Sequence, residues 1–115
     1  MIKAALSVYD EIKYIRFAVN GHAGSAEYGH DLVCAAASIL LYAIAQTVDK
    51  MTAQGGFTCD PITEADAGDG IIACHCATEE SFAEALTAFK TIWAGFELLA
   101  RDYPQYVGLT YAGKA

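Results

Sequence analysis

His22, His30, Asp31, Cys34 and Ser38 fall within one short stretch of the chain, and their types and spacing can do nucleophilic chemistry. The spacing predicts Cys34 as the third or fourth residue of a long apolar helix. There, unsatisfied backbone N–H groups and the positive end of the helix dipole favour a thiolate over a thiol. His22, at the end of the preceding strand, can reach back across the loop to Cys34, first as its base and then as the acid for the leaving group. Asp31 reads as the helix N-cap, its carboxylate accepting from the N–H of Cys34. Ser38 lies one turn further on the same face, placed to lend a hydroxyl to substrate or to His22, or simply to pack. His30 is a rival base, but its place at the helix start predicts a side chain turned to solvent. The bland alternatives are a core cysteine and a turn histidine. The position of Cys34, in the first turn behind a glycine-spaced loop and a histidine, favours the nucleophile.

These residues need a strand to deliver His22, a loop and a helix to present Cys34. Gly21, Gly24 and Gly29 punctuate a loop with few bulky anchors, read either as a lid that closes over a peptide or as a plain surface loop. First-turn N–H groups, including that of Cys34, are expected to hold a tetrahedral oxyanion.

Gly21-His22-Ala23-Gly24, Tyr28-Gly29, then Asp31-Leu32-Val33-Cys34-Ala35-Ala36-Ala37-Ser38 closely resembles the signature of the ribosomal-processing cysteine protease family, Prp. The signature spans Gly21 to Ser38, and the likeness extends more loosely over the whole chain. The resemblance implies a Cys-His endopeptidase with Cys34 and His22 catalytic, Asp31 and Ser38 supporting, and Gly21, Ala23, Gly24, Tyr28 and Gly29 in the substrate-binding loop. It implies no cofactor and no metal, and as substrate the N-terminal extension of ribosomal large-subunit protein twenty-seven, cut after an aromatic residue for ribosome assembly. Ser25 stands where the family pattern has an aromatic residue, which bears on the loop's substrate contacts rather than on the catalytic pair.

A chain of 115 residues is one domain, residues 1–115, with room for a single core. A hydrophobic content of 55% excludes a disordered chain. The formal charge of −7 and pI near 4.7 argue against direct binding to nucleic acid and favour a basic protein partner. The apolar run Leu32 to Ala45 falls short of the roughly 20 residues of a membrane span and reads as a buried helix. Met1 to Tyr9 meets Asp10 and Glu11 before a signal-peptide core is complete, so a cytoplasmic protein with unbridged thiols is expected.

In chain order, Met1 to Tyr9 alternates with Ile2, Ala4, Leu6 and Val8 on one face. Asp10 and Glu11 form the turn, and a second strand sets Ile15, Phe17 and Val19 on one face, giving a hairpin. The helix from Asp31 is expected to bury Leu32, Val33, Ile39, Leu40, Ile44 and Val48 and to stop at Gln54-Gly55-Gly56. Phe57 to Thr63 and Ile71 to Ala77 read as a second hairpin around the acidic turn 66–70, with Pro61 marking an edge or bulged strand. That turn lacks the ligand spacing of a calcium loop. Thr78 caps a last long helix with an apolar stripe at Phe82, Leu86, Phe89, Trp93, Phe96 and Ala100. Its second face, with Ile92, Leu98 and Leu99, suits a subunit contact, and together with the resemblance it makes a homodimer the expectation. Pro104 ends the helix, and Tyr106 to Tyr111 adds a short edge strand.

The order is ββα-ββα, an α+β two-layer domain. Cys74-His75-Cys76 with Cys59 upstream invites a zinc reading. On a strand, however, His75 points away from the two cysteines and their spacing is unusual, so structural cysteines are preferred. Two non-peptidase readings remain: an acidic adaptor that docks on ribosomal proteins without cutting, and a redox-sensing thiol protein.

Overall fold

The structure is a computed structural model that describes residues 1–21, 30–54, 59–66 and 69–113, with backbone alone at 30, 31 and 59–66. Alternation builds the first hairpin. In β1 (Ile2–Tyr9), Ile2, Ala4, Leu6 and Val8 are buried, and in β2 (Tyr14–Asn20), Ile15, Phe17 and Val19 are buried on the same side. The turn between them is a short 3-10 helix, Asp10–Ile12, closed by Lys13 in the left-handed region at φ 54. Strand β3 (Cys59–Asp66) pairs with β4 (Asp69–Cys76), and β4 pairs with β2, both antiparallel. The expected start of this hairpin at Phe57 lies outside the described residues. Its turn is tighter than expected, because Asp66 and Asp69 are themselves paired. The last strand, β5 (Val107–Ala112), returns parallel to β1, and the sheet order is β3-β4-β2-β1-β5. Pro61 lies on the edge strand β3, where its missing N–H is tolerated.

Two helices of 24 residues, α1 (His30–Ala53) and α2 (Glu79–Asp102), lie on one face of the sheet and close a single core. Thr78 caps α2 as its sequence predicts: its hydroxyl accepts from the Ser81 N–H at 3.1 Å and Ser81 Oγ accepts from the Thr78 N–H at 3.3 Å. From α2, Phe82, Ala85, Phe89, Trp93 and Phe96 enter the core, while Leu86 and Ala100 pack at its margin. Phe17 of β2 meets Trp93 edge-on with centroids 6.3 Å apart and leans on Phe96 at 5.3 Å.

The inward face of α1 differs from the sequence expectation. Val33, Ala37, Leu41, Ile44, Ala45 and Val48 are buried, while Leu32 and Ile39 are 66% and 69% exposed. At 100° per residue the buried set forms one stripe, and Leu32 and Ile39 lie on the far side of it. Apolar residues surround this helix, so residue type alone does not choose the face. By length and hydropathy Leu32–Ala53 also matches a membrane span, yet here its buried stripe packs on the sheet.

Candidate active site

Five chain segments meet at one end of the sheet. Lys3 pairs with Asn20, so β1 starts where β2 ends, and Val19 pairs with Gly70 just beyond the tip of the second hairpin. The Ile2 N–H donates to the carbonyl of Tyr106 at 2.8 Å, which brings the end of α2 and the start of β5 to the same place. Ala35 and Ala36 of α1 line a groove with Leu98, Leu99 and Asp102 of α2, so the first turns of α1 also lie at this end.

Gly21 is the last described residue before the loop. Its φ is +96, and a Cβ added there would collide with the Met1 carbonyl oxygen, so both conformation and close approach demand glycine. His22, Ala23, Gly24, Tyr28 and Gly29, proposed from sequence as the base and the substrate loop, lie outside the described residues.

Helix α1, His30–Ala53, already includes the residue ahead of Asp31. Asp31 is therefore its second residue rather than its N-cap. Cys34 becomes the fifth residue. Its N–H is then placed to pair with the carbonyl of His30 in the helical ladder, so it is withdrawn from the expected oxyanion role. The N–H groups left over by the helix belong to the residues ahead of Val33. The side chains of His30 and Asp31 are not among those described.

The structure places Cys34 and Ser38 one turn apart on the same side of α1. Both are half-buried, and Cys34 packs against the core. A half-buried thiol at the flank of a helix, rather than beneath it, can be approached by a peptide while its carbon stem stays fixed. The apolar groove between α1 and α2, about 520 Å³, opens on a different side. Ile39, on its rim, is five residues and about 140° around the helix from Cys34. Sequence reasoning missed this groove because it assigned Ile39 and Leu40 to the core.

The cysteines of the second hairpin are set apart from this end. Cys74 and Cys76 are buried on the core side and His75 is exposed on the other, as strand alternation requires.

Residues 1–108 match the family model described as cysteine protease Prp. The chain is 27% identical over 111 residues to the ribosomal processing cysteine protease Prp of Staphylococcus aureus (strain Mu50 / ATCC 700699), covering 96% of this chain and 99% of the relative. Two solved structures of the essential ribosomal processing protease Prp from S. aureus are also similar. One, in complex with a substrate peptide, superposes with a TM-score of 0.69 at 25% identity, covering 96% of this chain and 99% of that one. The other, in complex with a covalently linked product peptide, gives a TM-score of 0.68 at 26% identity with the same coverage.

Proposed function

Because the chain belongs to the cysteine protease Prp family and is a cysteine protease, we propose that Cys34 is its nucleophile and His22 its general base. The observation that supports this most directly is the half-buried Cys34 flanking the first turns of α1, at the sheet end where Gly21 hands the chain on to His22. His22 takes the thiol proton as sulfur attacks the scissile carbonyl carbon. The same proton then goes to the departing amine, leaving a thioester. Water, deprotonated by His22, releases the acyl group and restores the thiol. Oxyanion donors come from backbone N–H groups ahead of Val33 in the chain. Ser38 and Asp31 support the pair, and no cofactor or metal enters the reaction. The product peptide held covalently by the S. aureus relative supports an acyl-enzyme route.

The substrate proposed is the N-terminal extension of ribosomal large-subunit protein twenty-seven, cut after an aromatic residue during ribosome assembly. The ribosomal processing role of the S. aureus relative supports it, as does the charge of −7 on this chain, which suits a basic protein rather than nucleic acid. A cytoplasmic location follows from that substrate. A homodimer is part of the same proposal, supported by Ile39 and Leu98, large apolar side chains left exposed at the groove between the helices.

Intact mass of the full-length ribosomal protein after incubation with the chain, beside its Cys34→Ser form, tests the reaction. Loss of one defined N-terminal peptide with the unaltered chain alone is expected. Cleavage by both forms removes Cys34 from its role, and cleavage by neither under reducing conditions removes the substrate and favours a docking adaptor.

A further inference from the structure

Strand β3 lies under the helix that carries Cys34, and its main chain is open on one side. Among the described residues no strand lies beyond it in the sheet. The orientation of its backbone follows from one hydrogen bond. The Cys76 N–H donates at 2.8 Å to the carbonyl of Lys13, just ahead of β2, so the main-chain groups of Cys76 face β2 and turn away from β3. Cys59 pairs with Cys76 across the ladder of β3 and β4, and that pair is therefore of the non-hydrogen-bonded kind, with the N–H and carbonyl of Cys59 directed away from β4. The two-residue repeat of a strand carries this orientation on to Pro61, Thr63 and Ala65. Pro61 fits it, because a proline is tolerated on an edge strand where its missing N–H would face outward.

Cys34 is turned toward this edge. Helix α1 packs over β3 and β4, and α2 over β2, β4 and β5. Leu40, which lines the groove between the helices, is about 120° around α1 from Cys34, with buried Val33, Ala37 and Leu41 between them. Cys34 thus occupies the flank of α1 that faces away from α2, on the side of β3. Ala65 pairs with Gly70, which puts the last residues of β3 at the sheet end where α1 begins. We propose that the substrate peptide adds to the edge of β3 as an extended strand, held by the outward N–H and carbonyl groups of Thr63 and Ala65 while its scissile bond lies at Cys34. This rests on the reading of Cys34 as the nucleophile. Main-chain pairing of this kind gives affinity with little regard to sequence, and the alternating side chains of the peptide are left to set the choice of cleavage site. Pro61 offers a carbonyl but no N–H, so the added strand is held best over the half of β3 near Cys34.

The test is binding of a fluorescein-labelled peptide, spanning the cleavage site of the ribosomal extension, to the Cys34→Ser chain, read by fluorescence anisotropy. Ala65→Pro and Thr63→Pro, each added to that background, delete one outward N–H and leave the ladder to β4 intact, and each should raise Kd at least about fivefold. Circular dichroism shows whether these variants fold. N-methylation of the peptide one residue at a time, against the Cys34→Ser chain without further change, keeps the test decisive if they do not. It should weaken binding at every second residue near the cut and not at those between. Binding that shows no such alternation, or that folded proline variants leave unchanged, overturns the edge and leaves the Cys34 assignment standing. A peptide that is neither bound by the Cys34→Ser chain nor cut by the unaltered one overturns the substrate assignment, and the edge with it.

Discussion

Gly21 turns against the backbone of Met1: at φ +96 its α-carbon faces the Met1 carbonyl oxygen with no room for a Cβ. The neighbour is main chain at the start of a central strand, so it cannot move aside as a side-chain tip would. Gly21→Ala should therefore cost about 2 kcal/mol or more, combining a positive φ with overpacking. Because Gly21 precedes His22 in the chain, peptide cleavage should fall further than the loss of folded protein explains. Thermal denaturation and kcat/KM on the same preparation check this, and a variant with unchanged activity would detach the turn from catalysis.

The crossing of the two helices makes a second demand. A Cβ at Gly95 of α2 would stand 2.7 Å from Cδ2 of Leu40 on α1. Leu40 is a flexible side chain and can yield, so Gly95→Ala gains helix propensity against a modest clash, and the two nearly offset. Gly95→Val has no such balance and should lower stability by about 2 kcal/mol. Adding Leu40→Ala should recover at least half of that if the contact is the cause, which a double-mutant cycle in urea measures directly.

Much of this architecture is legible in the residues. Period-two alternation in β1 and β2, the Thr78 cap and the aromatic stripe of α2 each bury or expose what their pattern implies, because one face of each is polar. Helix α1 resists the same reading because its apolar residues run all round. Leu32 and Ile39 look like core by type and turn out exposed, while Ala37 and Ala45 are core. For the proposed site the sequence offers residue types and spacing from His22 to Ser38, but not the local geometry of the helix start. A helix that already includes His30 makes Asp31 a first-turn residue rather than the cap and takes the Cys34 N–H out of the expected oxyanion role. Helix starts move this easily because capping preferences differ by only about 1 kcal/mol.

That exposed apolar surface leads to a third expectation. Ile39 at 69% and Leu98 at 52% exposure border one groove across both helices. If a second copy covers it, Ile39→Asp should convert a dimer to a monomer in light scattering, since a charge buried at an interface without a partner costs several kcal/mol. The folding midpoint of the monomer should not drop, because Ile39 contributes nothing to the core. An unchanged mass, or a chain already monomeric, would assign the groove to another use.

The last expectation concerns how substrate arrives. With 14 acidic and 7 basic side chains, the chain carries a net charge of −7 at neutral pH. A basic substrate is then drawn in by the field of the whole surface, an attraction that fades as salt shortens the Debye length from about 10 Å at 0.1 M toward about 3 Å at 1 M. Between those concentrations kcat/KM should fall severalfold, with kcat itself nearly constant, because steering acts on encounter and not on the acyl-transfer step. A short peptide with the same cleavage sequence but no net charge should show little salt dependence. Equal salt curves for the charged protein and the neutral peptide would place recognition in local contacts near Cys34 and leave the acidic surface without a part in capture.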